Sequence, residues 1–458
     1  MMMSKALILA SLLTGLTIGT VSADQSKYAQ IYDDYDLTPK YHGFCYTDDK
    51  GEIKGLNPHR RVRLASVSKL ITTLWATEKM GIDSHYTTKF YHHDNDIHIE
   101  GDGDMLNTKR KLFFFLSQLN NLGIQEIDTL SFNKDFFAFT GHVVEKKDRS
   151  LSYATQMKVV TGAEGYVGWI FNTSKERTAM NLKYFFNTDT WEKMQEAYKA
   201  FINETPKEII EKLQIKTSLD EISLKVKKVE YKDENPFKDM PEALKTYTHI
   251  SPELARYLKY MNIKSNNFIA DQVFDQLGGE KEFDKYITPV IEEIYPEYEK
   301  TRKEFDKGES TIKLFTGSGL NTKRNKKRVD NYSTCAVVVK LIERLDLKLK
   351  EIERHIKEVV AVPGSDGGTF KKRLNTPRLT NTMVAKTGTL FHTSALAGKV
   401  YSQKGEHFFG VFHQLRGWKG NAKMAQNELV SQIIDEYGGP KKIEYANEFF
   451  FPVDQLMK

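Results

Sequence analysis

The chain has 458 residues, long enough for two or three domains and a large core. Its 40% hydrophobic and 28% charged content is ordinary for a soluble globular protein, and its two cysteines, Cys45 and Cys335, are too few for a disulfide framework. The formal net charge of +6 comes from a Lys-rich surface, which reads either as plain solubility or as affinity for an anionic partner.

In chain order, Lys5 is followed by an apolar run from Ala6 to Leu13, then by apolar and small residues that end at Val21-Ser22-Ala23. This reads as a secretory signal peptide over residues 1–23, with Asp24 the first mature residue. The alternative is an uncleaved anchor, against which the apolar run is short for a membrane span. No later stretch is long and apolar enough to cross a bilayer, so the expected location is periplasmic. For an exported protein nucleic acid is a poor partner, whereas cell-wall polymers and lipid head groups are anionic and suit the charge. In an oxidising compartment Cys45 and Cys335 can pair, or each can be buried as a free thiol.

Tyr41 to Thr47 reads as an aromatic-rich strand ended by Asp48-Asp49-Lys50-Gly51. Next comes Arg63-Leu64-Ala65-Ser66-Val67-Ser68-Lys69, leading into a helix from Leu70 to Met80 that Gly81 stops. Ser66 and Lys69 are three apart, so at a helix head they share a face. Free N–H groups of a first turn favour negative charge at Ser66. A serine hydroxyl needs a base to become a nucleophile, and a lysine can serve if burial or nearby positive charge lowers its pKa. Alone the pair is weak: roughly three Ser-x-x-Lys matches arise by chance in so Lys-rich a chain. Ser310-Thr311-Ile312-Lys313 is a visible decoy.

From Tyr86 to Phe137 strand, turn and helix patterns alternate: Ile97 to Glu100, Gly101 to Asp104, Lys109 to Leu122, then Ile127 to Phe132. This predicts a small α/β unit inserted after the nucleophile helix. Between Ala138 and Thr246 the signals are weaker, with helices at Trp191 to Ile202 and Pro206 to Leu213 and a strand at Leu224 to Tyr231. His92, His93 and His98 are metal-capable, but adjacent histidines point apart, and no metal is expected. The basic run Lys323 to Arg328 reads as a solvated loop near a cleft rim. From His249 the chain reads as helical, and Thr382 to Ala385, Ala395 to Tyr401 and Phe408 to His413 read as strands before a last helix from Lys423 to Tyr437. Strand Tyr41 to Thr47 lacks a partner nearby and the C-terminal strands lack a sheet. Pairing them gives an α/β (α+β) fold, an antiparallel sheet flanked by helices, built from 24–85 and 247–458 with 86–246 looped out.

Two further motifs join the first. In Ser265-Asn266-Asn267, residues two apart in a tight turn can aim polar groups into one cleft, Ser265 to relay a proton and Asn267 to hold an amide; the bland reading is a helix cap by Asn267. Ser131-Phe132-Asn133 is a competing match inside the inserted unit. In Lys386-Thr387-Gly388-Thr389 at a strand end, Lys386 and Gly388 face one way. Gly388 leaves room for a substrate backbone, Lys386 adds positive charge that helps lower the pKa of Lys69, and the N–H groups of Ser66 and Thr389 form an oxyanion hole.

The order Ser-x-x-Lys, Ser-x-Asn, Lys-Thr-Gly is the motif set of penicillin-recognising serine enzymes. The chain resembles the D-alanyl-D-alanine carboxypeptidase/endopeptidase family typified by low-molecular-mass, class C penicillin-binding proteins. Besides the three motifs, the likeness is carried by Gly101 to Asp104, Lys264 to Asp271, Gly317 to Leu320 with Thr316 where the family has Asp, Gly364 to Phe370, and Ala395 to Gly398. Inside Ala138–Thr246, where the family carries a nested domain, the match is weak and the segment looks reduced or rebuilt. The resemblance implies a penicillin-binding-protein/β-lactamase-like transpeptidase domain and a serine DD-peptidase acting on peptidoglycan through an acyl-enzyme on Ser66. Lys69 would be the base, Ser265 with Lys386 would protonate the leaving D-alanine, and the Thr387 and Thr389 hydroxyls would bind the terminal carboxylate. β-Lactam antibiotics would be covalent inhibitors, and no metal or organic cofactor is needed. A serine β-lactamase and a non-catalytic penicillin-sensing or wall-binding module are the alternatives. An unrestrained wall hydrolase endangers its own cell, so a protein inhibitor is a candidate partner.

Overall fold

The computed structural model describes residues 23–138, 175–191, 194–240, 244–296, 310–415 and 419–458. The expected leader, up to Ser22, lies outside them, as does 139–174 of the weakly patterned interval. Helix α1 (Ala23–Asp34) is followed by strands β1 (Gly43–Thr47), β2 (Ile53–Leu56) and β3 (Arg61–Arg63), then helix α2 (Ser68–Lys79). The first strand starts two residues later than expected because Pro39–Tyr41 form a 3-10 turn. An inserted stretch holds β4 (Thr87–His93), β5 (Asp96–Glu100), α3 (Lys109–Asn121), β6 (Glu126–Phe132), α4 (Lys175–Phe186), α5 (Met194–Glu204), α6 (Lys207–Lys212), β7 (Lys225–Tyr231) and β8 (Lys245–Ile250). After it come α7 (Leu254–Lys264), α8 (Asn267–Gln276) and α9 (Gly279–Ile294). Next are the short strands β9 (Thr322–Arg324), β10 (Lys327–Val329) and β11 (Tyr332–Thr334), and α10 (Cys335–Glu351). Three long strands, β12 (Met383–Leu390), β13 (Thr393–Ser402) and β14 (Gly405–Gln414), and α11 (Gly420–Glu436) close the chain.

The main sheet has the order β12-β13-β14-β1-β2 and is antiparallel throughout, with Gly43 opposite Phe412 and Lys386 opposite Ala397. The N-terminal strand thus joins the C-terminal strands, as the unpaired patterns predicted. Both faces are covered, so alternate residues enter different cores. Cys45, Val384, Ala395, Ala397 and Phe412 pack with α2, α8 and α10. Phe44, Ala385, Leu396, Phe409 and Val411 pack with α1 and α11. Strand β13 is buried along its whole length. Cys45 and Cys335 form a disulfide that ties β1 to the first residue of α10.

A second sheet has the order β7-β6-β5-β4-β8, with β5, β6 and β7 parallel and the β4 pairings antiparallel. Its core is aromatic: the Phe113 ring lies 4.8 Å from that of Phe185 and 4.9 Å from that of Tyr198. Strand β8 runs past Thr246 to Ile250, so helix begins at Leu254 and not at His249. The chain end returns to this unit, where Thr248 and Lys458 exchange backbone hydrogen bonds and Phe451 and Val453 enter the aromatic core. The two units are pinned by a buried ion pair of Lys111 with Asp104, both also bonded to the Tyr257 hydroxyl on α7.

Candidate active site

Strand β3 delivers the chain into a tight turn at Ala65–Val67, a 3-10 segment continuous with α2. Ser66 therefore sits just ahead of the helix rather than in its first turn. Ala65 enters this turn at φ +48°, in the left-handed region. Such a conformation costs an L-residue about 1–2 kcal/mol and persists only where its surroundings over-determine it. Gly319 packs directly against it: with φ +79°, it lies so close that a Cβ would stand 1.8 Å from the Ala65 carbonyl oxygen. No side chain fits there, which accounts for the glycine.

Lys69 is fully buried, with Nζ 3.2 Å from Ser66 Oγ, and it donates to Asn267 Oδ1 and to the Ser318 carbonyl at 2.8 Å each. The last two atoms can only accept. A neutral amine therefore spends its two N–H groups on them and turns its lone pair to the Ser66 hydroxyl. Burial lowers the Lys69 pKa to about 7, against the opposing pull of the Asp271 carboxylate.

Ser265 follows the end of α7 at φ +52°, and Asn266 caps α8 by accepting from Ile269 N–H at 3.1 Å. The cap is thus Asn266, which leaves Asn267 for Lys69. Lys386, also fully buried, donates to Ser265 Oγ and to the Thr387 carbonyl at 2.9 Å each. Its pKa is pushed well down, first by burial and then by Lys69. Burial is the leading cause for both lysines, and the repulsion between them acts in the direction expected, disfavouring two charged ammonium groups side by side.

Gly388 lets edge strand β12 press against the nucleophile turn, since a Cβ there would lie 2.9 Å from Leu64 O and 3.1 Å from Ser66 N. The close approach is made by the protein's own backbone. Thr387 is half-buried and Thr389 exposed on the same strand.

Several supporting residues lie outside the three short motifs. Asn331 donates to Ser68 Oγ at 3.0 Å and to Thr316 O at 2.6 Å, and accepts from Phe315 N–H at 2.8 Å. It stitches the Gly317–Leu320 turn to the nucleophile helix, helped by Thr72, which donates to Gly317 O at 3.0 Å. Asp271 accepts from Ser318 N–H at 2.7 Å and so braces the peptide whose carbonyl holds Lys69. Its spacing of four from Asn267 on one helix was the readable signal. The decoys do other work. Lys313 is salt-bridged to Glu280 and Asp284, Ser131 contacts His98 Nδ1 at 2.9 Å, and Asn133 bonds the Gly101 backbone.

Two hydroxyls, each against a buried lysine, one on a helix and one on the edge of the antiparallel sheet, are the arrangement of a serine peptidase. The sequence model of the D-Ala-D-Ala carboxypeptidase 3 (S13) family matches residues 215–433, which include Ser265, Asn267 and Lys386. A search of curated proteins finds no match. Among solved structures, the chain is similar to Bd3459, a predatory peptidoglycan endopeptidase from Bdellovibrio bacteriovorus, at 25% identity and TM-score 0.68, over 91% of this chain and 97% of that one. It is similar to the penicillin G-acylated form of that endopeptidase in complex with immunity protein Bd3460, at 26% identity and TM-score 0.64, over 91% and 97% of the two chains. Penicillin binding protein 4 from Haemophilus influenzae shares the fold at 15% identity and TM-score 0.54, over 89% and 99%. The resemblance to D-Ala-D-Ala carboxypeptidases and endopeptidases expected from the motifs is thereby shown.

Proposed function

We propose that this chain is an exported serine-type D-alanyl-D-alanine carboxypeptidase and endopeptidase that hydrolyses peptidoglycan stem peptides and crosslinks. The observation that carries the reading is Lys69 Nζ at 3.2 Å from Ser66 Oγ, with its other bonds taken by pure acceptors. Ser66 Oγ attacks the carbonyl between two D-alanines while its proton passes to Lys69. The N–H groups of Ser66 and Thr389 stabilise the oxyanion. The C–N bond breaks as Ser265, charged through Lys386, protonates the leaving amine. Water then cleaves the Ser66 ester. The Thr387 and Thr389 hydroxyls hold the substrate carboxylate, and Gly388 keeps strand and nucleophile together.

The Bdellovibrio neighbours are named endopeptidases, which supports crosslink cleavage as well as trimming of free pentapeptides. Two of them are solved with an immunity protein, which supports a protein inhibitor as partner here. The disulfide, the leader pattern, and the absence among the described residues of any helix able to cross a membrane support a periplasmic site. The fold and the two hydrophobic cores support a division into a DD-peptidase domain and an inserted unit over 86–246 in which the family's nested domain is reduced or divergent.

Incubating the protein with purified sacculi and separating the muropeptides tests this. The expected result is loss of D-Ala-linked crosslinks and of terminal D-alanine. Rapid turnover of nitrocefin with sacculi left intact would instead make it a β-lactamase.

A further inference from the structure

The basic run that reads as a solvated loop forms the hairpin of β9 and β10, with Arg328 opposite Lys323. It overhangs a cavity of about 670 Å³ between β3 and the segment leading into β11. Arg60, Arg61, Arg63 and Arg328 line it, and Asp330 is the single carboxylate among its described lining residues. Setting Arg61 aside, three guanidinium groups against one carboxylate among the described lining residues leave an excess of positive charge. Strand β3, which supplies one wall, ends three residues before Ser66, so the cavity borders the nucleophile turn.

Although exposed, three of the four arginines have fixed partners among the described residues. Asp330 accepts from Arg63 Nε at 3.2 Å and from Arg328 at 3.0 Å, and Arg63 Nη1 donates to Gln414 Oε1 at 3.4 Å. The Arg61 guanidinium lies 3.5 Å above the Tyr332 ring, and stacking of that kind fixes the plane of the fork. Arg60 is exposed at the mouth and has no carboxylate partner among the described residues. Pre-set, planar donors are what bidentate recognition of a carboxylate requires. None of these groups touches Ser66, Lys69, Ser265 or Lys386, so the acyl-transfer chemistry does not account for them.

We propose that this cavity is an anion subsite that grips a free carboxylate of the wall polymer away from the scissile bond, an inference that rests on the peptidase reading above. A crosslinked polymer carries many stem-peptide carboxylates, whereas a short substrate ends inside the cleft. The subsite therefore gives the enzyme a preference for polymer without altering acylation.

The test compares wild type with the Arg60→Gln/Arg328→Gln double variant in three assays. These are acylation by fluorescent penicillin, crosslink cleavage on intact sacculi, and cleavage on sacculi whose carboxylates have been amidated. Acylation should be unchanged, and the half-saturating concentration of sacculi should rise about tenfold at constant maximal rate, equivalent to about 1.4 kcal/mol. Amidated sacculi should bring wild type to the level of the variant. Equal half-saturation of variant and wild type on untreated sacculi would overturn the subsite. So would a variant defect that persists in full on amidated sacculi, which would assign the arginines to phosphate or another anion. Loss of acylation in the variant alone would also overturn it, by placing the arginines in the reacting site. Failure of wild type itself to acylate would remove the peptidase reading, and the subsite with it.

Discussion

Lys69 carries the chemistry only in its neutral form. With its pKa near 7, the fraction able to take the Ser66 proton grows as pH rises through that value. The acylation rate should therefore show an acid limb near pH 7. Burial of Lys69 on α2 and the Asp271 carboxylate on α8 set its position, with Lys386 on β12 the neighbouring cation and Asp275 next to Asp271 on α8. Asp275 is itself raised to about 6 by burial and by Asp271. Asp271 is the group that pulls Lys69 upward, so Asp271→Asn should move the acid limb to lower pH. A pH profile of penicillin acylation reads this directly, and an unmoved limb would remove Asp271 from that role. Lys69→Ala should lower acylation on the order of 10⁴-fold, and Ser66→Ala should abolish it, because the first loses the base and the second the atom that is acylated. Ser310→Ala should leave acylation as it was. Ser66, Lys69, Ser265 and Lys386 were legible because each sits in a short motif. Asn331 was not, because its role is to satisfy backbone groups of a turn fifteen residues away, and no local pattern records that.

Among the elements, β12 and the nucleophile turn touch only because position 388 lacks a side chain. Gly388→Ala would force a Cβ to within 2.9 Å of Leu64 O, so β12 must shift. Acylation should fall roughly 100-fold, the cost of about 1 Å of misplacement in an active site. Circular dichroism should stay native. Normal acylation of Gly388→Ala would show that the contact positions nothing. The strands of the main sheet were readable from their alternation and β-branched or aromatic content, and their pairing followed from the lack of other partners. The 3-10 turn at Ser66 was not readable, since alanine gives no local cue for a positive φ and Gly319, which packs against it, is distant in sequence. The end of β8 was hidden in the same way, because its partners are β4 and the chain terminus.

On the scale of the molecule, one disulfide closes a loop of 290 residues that contains the inserted unit. Removing it with Cys45→Ala and Cys335→Ala should lower unfolding stability by about 2–4 kcal/mol. The folded fraction should still acylate, since neither sulfur reaches the site, and chemical denaturation followed by penicillin labelling separates the two effects. Unchanged stability would contradict the pairing. Composition and spacing left that pairing open, because two cysteines so far apart meet only once the first strand has joined the last. The same non-local assembly places a serine from one end of the chain against a lysine-bearing strand from the other. Mapping the adduct formed with penicillin G, by mass spectrometry of the digested protein, tests that placement most directly. The account predicts one adduct per molecule, on the peptide containing Ser66, and none in Ser66→Ala; an adduct on another serine, or none in the wild type, would contradict it.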